Sequence, residues 1–237
     1  MHIITAKDYD RHILSRDLQF QIDEYYQPRN VFAQRRNAIV IKALKPKEGE
    51  KILDVGCGVG TFAFHCAKAK ARSFGIDYSF ESVRVARELC VKFSVAQQAS
   101  FFLGNAMQLP FRQEFFDKIV AADFIEHITH QEKEKLLQEM RRVIKPDGFI
   151  VVFTPNLIRE KIGDFYWWIR NKLFGDKIPT TPLHYGLISV FKFKKMCRQS
   201  NFKLKISYQD VTRPYLAKLP LLRRILALNL LFILQKA

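Results

Sequence analysis

The segment Leu53-Asp54-Val55-Gly56-Cys57-Gly58-Val59-Gly60-Thr61 constrains the chain more than any other stretch. It begins inside a short apolar run, Lys51–Val55, and leads into a helical pattern from Thr61 to Lys70. Glycines there let the backbone turn sharply and approach a ligand with no Cβ in the way. The first turn of the helix then offers N–H groups that have no partner within it. The spacing is Gly-x-Gly-x-Gly. A dinucleotide site uses Gly-x-Gly-x-x-Gly, its third glycine packing helix on strand beneath a pyrophosphate. Asp54 stands two positions before the first glycine. A carboxylate there favours a ligand with a cationic amine or sulfonium over one with a pyrophosphate. A nicotinamide-dependent enzyme is the competing reading of this turn.

Beyond the turn, strand patterns at Ser73–Ile76, Ser100–Leu103, Asp117–Ala121 and Phe149–Phe153 alternate with helical ones. Ser79 is placed to cap a helix running to Phe93. Thr129-His-Gln-Glu132 is a capping-box pattern, opening a helix with the apolar stripe Leu136, Leu137, Met140, Val143 and Ile144. Lys145-Pro-Asp-Gly148 ends that helix and turns into the next strand. With Lys203–Tyr208 and Asn229–Leu234 as further strands, the pattern predicts an α/β chain. The expected fold is a Rossmann-like, doubly wound, mostly parallel sheet of seven strands with helices on both faces. Ligands in such a sheet bind at the carboxyl ends of the strands. Residues 1–45 read as a helical entrance segment stopping at Lys45-Pro46, and Ser189 can cap a helix from Val190 to Gln199. Residues 157–188 break the rhythm as a helical lid insertion within a single domain, 1–237. A hydrophobic content of 48% excludes a disordered chain.

Four further segments follow the glycine turn in order: Gly75-Ile76-Asp77-Tyr78-Ser79, Gly104-Asn105-Ala106-Met107-Gln108-Leu109-Pro110-Phe111, Phe116-Asp-Lys-Ile-Val120 running on to His127, and Val143-Ile-Lys-Pro-Asp-Gly148. With them the sequence, from about residue 35 to residue 208, resembles the class I S-adenosylmethionine-dependent methyltransferases. The resemblance implies that S-adenosylmethionine is the cofactor, bound by Asp54, Gly56, Cys57, Gly58, Gly60, Asp77, Tyr78, Asn105, Ala106, Met107 and Asp123. It implies that Asp77 accepts hydrogen bonds from the ribose hydroxyls and that Tyr78 lies against adenine. Asn105 stands where the family usually has Asp, and its carbonyl oxygen can serve the adenine edge instead. Cys57 reads as a small spacer or as a reactive thiol. The resemblance also makes Tyr25-Tyr26 and Arg35-Arg36 part of the entrance and aims Arg35 at the cofactor carboxylate.

A sulfonium methyl is already activated, so such a protein must mainly align acceptor, methyl carbon and sulfur. A base is needed when the acceptor is a hydroxyl, whose proton must leave. His127 and His184 are the candidates. Asp123-Phe-Ile-Glu126-His127 is similar to the Glu-x-x-Glu-His segment of ubiquinone-pathway O-methyltransferases, which is associated with a divalent metal. His127 can therefore be a base or acceptor-orienting group, a metal ligand, or a structural residue. His184 sits in Leu183-His-Tyr-Gly-Leu-Ile-Ser189, which resembles the His-x-x-x-x-Ser run after the insertion in small-molecule and lipid methyltransferases. Where base N-methylating relatives carry Asn/Asp-Pro-Pro-Tyr/Phe, this chain has Ala122-Asp-Phe-Ile, and it holds no Pro-Cys. Both absences argue against a nucleic-acid substrate. The expected reaction is methyl transfer to a small or lipidic acceptor, a hydroxyl first. The alternative from another class is a noncatalytic membrane- or RNA-binding protein on the same fold.

The formal net charge of +16 is uneven: residues 1–156 carry 23 basic and 19 acidic side chains, and residues 157–237 carry 16 and 4. Such asymmetry points to an anionic partner. Leu157–Phe174 fits a helix with the stripe Ile158, Ile162, Phe165, Tyr166, Ile169 and Leu173, flanked by Arg159, Lys161, Arg170 and Lys172. Both tryptophans of the protein are here. That composition suits a helix lying in a membrane interface, and equally a lid over the active site. A second basic and apolar patch spans residues 215–226. No apolar run approaches the roughly 18 residues that span a bilayer. The opening residues lack the order of a signal peptide, and the four cysteines form no CxxC pair. The expected location is cytoplasmic, with peripheral membrane contact through 157–174 and 215–226 as an option.

Overall fold

Local capping decides where most helices begin, and the glycine turn decides how they meet the sheet. The N-terminal segment forms α1 (Ala6–Leu14), α2 (Leu18–Gln21), a π-helical turn (Ile22–Tyr26) and α3 (Val31–Leu44). The chain then alternates as β1 (Lys51–Val55), α4 (Thr61–Lys68), β2 (Arg72–Asp77), α5 (Phe80–Lys92), β3 (Ala99–Leu103) and β4 (Phe116–Ala122). A 3-10 turn (Ile125–His127), α6 (His130–Val143), β5 (Ile144–Pro155), α7 (Leu157–Phe174), α8 (Val190–Gln199), β6 (Phe202–Val211), α9 (Pro220–Leu226) and β7 (Ala227–Lys236) complete it. The structure is a computed structural model that describes residues 5–175, 184–211 and 218–237, without the side chains of 210 and 211.

The caps act as the sequence predicts. Ser79 accepts from the Ser82 N–H, Ser189 from Lys192, and Thr129 with Glu132 closes the capping box. α3 stops at Lys45, whose φ of 46° is left-handed.

The seven strands lie in the order β3-β2-β1-β4-β5-β7-β6. β1 to β5 run parallel, and β7 pairs antiparallel with both β5 and β6. The order reverses between β1 and β4, so a crevice opens beyond their carboxyl ends. One boundary is corrected. Ile144, assigned above to the helical stripe, starts β5, and Lys145-Pro-Asp-Gly148 is a bulge rather than a turn ahead of the strand. Phe116 pairs with Ile144 and Lys118 with Phe149, so the extra residues loop out between them.

The central strands are buried on both faces: Leu53, Val55, Ile119, Val120, Ala121, Ile150, Val151 and Val152 are all inaccessible to solvent. Each such Leu, Val or Ile side chain contributes about 1.5–3 kcal/mol on burial. Edge-to-face contacts of Phe74, Phe102, Phe111, Phe115 and Phe116 close the β3 side. All four cysteines are buried and free. α7 and α9 are exceptions to this packing, with no buried residue along either helix. No helix among the described residues is long and apolar enough to cross a membrane.

Candidate active site

The turn after β1 is tied to β2, since the Gly56 and Cys57 N–H groups both donate to the Ile76 carbonyl, at 2.9 and 3.1 Å. Gly56, Gly58 and Gly60 all have positive φ, at 66°, 51° and 87°. A Cβ on Gly56 would overlap the Phe124 ring, and one on Gly60 would lie 2.7 Å from Phe101. At Gly58 a Cβ would meet nothing within 4 Å, so this backbone faces open space. The Tyr26 hydroxyl donates to the Val59 carbonyl at 2.7 Å and holds the loop from behind. Tyr26 is thus a buried anchor; the entrance role implied for it is not where the fold puts it.

Asp54 is buried and accepts from the Ala63 N–H at 3.0 Å, at the start of α4. Its carboxylate meets the positive end of the helix, and burial pushes its pKa up to about 7. Asp77, at the end of β2, accepts from the Gly58 N–H at 2.8 Å and the Ser79 N–H at 2.9 Å. A carboxylate offers about four lone-pair directions, so Asp77 keeps capacity for hydroxyl donors. Burial raises its pKa, opposed by these backbone bonds.

Tyr78 is exposed, its ring 5.7 Å from that of Tyr9. Asn105 is exposed, and its Oδ1 accepts from the Met107 N–H at 2.9 Å. The oxygen expected at the adenine edge therefore already closes a local turn. Ala106 is buried and Met107 half-buried beside it. Burial, reinforced by Asp77 and Asp54, raises the Cys57 thiol well above its ordinary value, which favours the spacer reading.

Across the crevice, β4 ends in Asp123, whose φ of 52° swings the chain into the 3-10 turn carrying Glu126 and His127. Asp123 pairs with the Arg36 guanidinium at 3.2 Å. Arg36, not Arg35, faces the site: one residue along a helix rotates a side chain by about 100°, and Arg35 is exposed.

Glu126 is fully buried. Its Oε2 accepts from the Thr154 hydroxyl at 2.9 Å, and its backbone carbonyl accepts from the Gly186 N–H at 2.7 Å. The latter bond draws the 184–188 segment over the turn. The His127 and His184 rings come within 5.3 Å, and Glu126, His127 and His184 can each offer a ligand atom within 4.8 Å of the others. Glu126 Oε1 and His184 Nδ1 have no hydrogen-bond partner among the described residues. Burial first, then the charge of Asp123, pushes the Glu126 pKa up to about 8. Buried Lys133 donates to the Ile128 carbonyl, and burial brings its pKa down to about 8.

The sequence also concealed a bridge. Tyr9 of α1 lies 5.7 Å from Tyr78 and 6.0 Å from His127, ring to ring, and so spans both halves of the crevice. Asp10 fastens α1 there, accepting from the Ser79 hydroxyl at 2.7 Å and the Glu81 N–H at 3.1 Å. Nothing in the local pattern of residues 1–45 signals these contacts. The doubling at Arg35-Arg36 is the only trace of the Arg36 position.

Residues 52–148, the stretch holding the glycine turn, Asp77 and the His127 turn, match the methyltransferase domain family. This stretch, less than half of the chain, is similar to methyltransferase domains. The domain is 36% identical over 109 residues to norajmaline N-methyltransferase of Rauvolfia serpentina, covering 46% of this chain and 37% of that protein. It is 35% identical over 114 residues to demethylmenaquinone methyltransferase of Bacillus subtilis, covering 47% and 48%. The chain thus spans less than half the length of each of these curated relatives. The crystal structure of the [4+2]-cyclase SpnF shares the fold, with a TM-score of 0.69 at 18% identity over 98% of this chain and 94% of that one.

Proposed function

We propose that this chain transfers a methyl group from S-adenosylmethionine to a hydroxyl oxygen of a small or lipidic acceptor. The observation that carries the reading is the cluster of Glu126, His127 and His184, with ligand atoms within 4.8 Å, at the carboxyl edge of β4. Transfer to an amine that is already neutral needs no base, whereas a hydroxyl must lose its proton as the bond forms. In this reading His127 takes that proton, His184 orients the acceptor, and the buried Glu126, bonded to Thr154, holds the turn that carries His127.

The cofactor fits the opposite wall, where Gly58 leaves room and Asp77 has acceptor capacity. When bound, S-adenosylmethionine supplies the activated methyl group. Tyr9 over Tyr78 and His127 excludes water from the space between donor and acceptor. Glu126, His127 and His184 also form a donor set that a divalent cation could occupy, and a cation there would lower the acceptor hydroxyl's pKa. Asp123, the first acid of the pattern, is engaged by Arg36 and stands apart from that set.

Fold alone does not choose the reaction, since the [4+2]-cyclase SpnF has the same architecture. The test is calorimetric titration with S-adenosylmethionine, followed by a screen of quinols, phenols and hydroxylated lipids with methyl-labelled cofactor. Binding with a methyl ether as product is expected. No binding at millimolar cofactor, or label found only on nitrogen or carbon, would sink the proposal.

A further inference from the structure

α7 presents its apolar stripe outward. Ile158, Ile162, Phe165, Tyr166 and Leu173 are all exposed, Phe165 by 61% and Leu173 by 67%, and Trp168 and Phe174 beside them are exposed by 52% and 72%. Of the half-covered positions, Glu160, Gly163 and Trp167 belong to the other side of the helix, Arg159 and Arg170 to a shoulder of the stripe, and Ile169 to the stripe itself. A lid would bury this stripe over the crevice, whereas here the rest of the described chain leaves all of it but Ile169 exposed.

At about 100° per residue, the charges on α7 sort around the stripe. Arg159 and Arg170 fall on one shoulder, Lys161 and Lys172 on the other, and the two acids, Glu160 and Asp164, on the back. Phe165 and Trp168 stack at 6.0 Å, and Lys172 lies 5.3 Å from the Trp168 ring. α9 packs beside α7 and likewise has no buried residue. It adds exposed Leu221, Arg223 and Arg224, with Leu219 just ahead of it. Residues 215–217 of the second patch lie outside the described residues.

We propose that the α7–α9 face docks the protein on an anionic lipid bilayer, lying in the interface plane without crossing it. The apolar stripe enters the acyl boundary, and the cationic shoulders meet the headgroups. The charge pattern selects this occupant. A dimer of two such faces would oppose cation to cation, and a nucleic acid would leave the aliphatic residues unused. The surface adjoins the crevice, because α7 starts at Leu157, three residues after Thr154, which holds Glu126. Asn156 caps α7 and donates to the carbonyls of Arg224 and Ala227, at 2.9 Å each, locking both helices to the end of β5. A docked protein therefore opens its acceptor side next to the bilayer.

The experiment is co-sedimentation of the full chain with vesicles of phosphatidylcholine and phosphatidylglycerol, against phosphatidylcholine alone. Binding to the anionic vesicles should exceed binding to the neutral ones by about tenfold or more, and should weaken as salt rises from about 0.1 M to about 1 M. Phe165→Ser with Trp168→Ser should cut anionic-vesicle binding by about tenfold, with thermal unfolding and S-adenosylmethionine binding unchanged. Lys161→Glu with Lys172→Glu should do the same without touching the stripe. In Trp167→Phe, the remaining Trp168 should shift its emission to the blue on anionic vesicles. The proposal is overturned by absence of binding at low salt, or by binding that neither double variant weakens. It is equally overturned if the stripe variant abolishes a dimer seen by sedimentation velocity, or if the face binds single-stranded RNA more tightly than vesicles.

Discussion

The two walls of the crevice are built on opposite plans. On the glycine-turn wall, polar groups are already bonded within the protein: Asp54 to Ala63, Asp77 to Gly58 and Ser79, and Asn105 to Met107. On the His127 wall, Glu126 Oε1 and His184 Nδ1 are buried with no hydrogen-bond partner among the described residues. A buried polar atom without a partner costs about 1–3 kcal/mol, so the second wall holds stability in reserve for what binds there. The first wall is a preformed seat and the second a set of unspent donors and acceptors. Removing a group from the first should weaken cofactor binding. Removing one from the second should slow the reaction with cofactor affinity intact.

The sharpest way to break that contrast is His127→Ala. Turnover should fall by about 10²–10⁴-fold while the calorimetric affinity for S-adenosylmethionine stays the same. A parallel loss of affinity would mean that the two walls are one site. Asp77→Ala should act the other way, weakening cofactor affinity by about ten- to a hundredfold with turnover at saturation largely kept.

Glycine substitutions sharpen the comparison within the first wall. Gly56→Ala must bear both a left-handed backbone, at about 1–2 kcal/mol, and overlap with Phe124, at about 1–3 kcal/mol more. Gly58→Ala bears only the backbone cost, yet it should weaken cofactor binding, because its Cβ enters the open space. Chemical denaturation should rank Gly56→Ala as the less stable of the two.

The smallest effect concerns pH. The Glu126 pKa, about 8, lies above the ordinary carboxylate range, so the folded state holds this proton more tightly than the unfolded chain does. Its contribution to stability is full below about pH 4 and is lost as pH rises through about 8. Glu126→Gln cannot ionise and should flatten the fall in melting temperature between those limits. The flattening is partial, since Asp54, at about 7, slopes the same way.

What was legible in the sequence was what local rules govern. The glycine turn, the Ser79 and Ser189 caps, the Thr129 capping box and the carboxylate ending β2 each follow from a few neighbouring residues. The His127 turn was visible as a pattern, but its meeting with His184 depends on the Gly186 bond to Glu126, far away in the chain. Tyr9 was missed for the same reason, and of the pair Arg35-Arg36 only the docked helix shows which faces inward. The amphipathic stripe of α7 was legible as well. Periodicity names an apolar face without saying whether protein or another medium covers it, and here the described chain leaves it open.

The placement of β7 between β5 and β6 has a consequence for how the protein is made. Among the described residues β6 has no partner in the sheet except β7, and β7 follows it in the chain. The parallel core from β1 to β5 can pair as it emerges, but β6 has to wait beside it unpaired, its edge uncovered. Synthesis therefore leaves an interval in which a nearly finished domain offers an open strand to its neighbours, and the closing residues of the sheet end it.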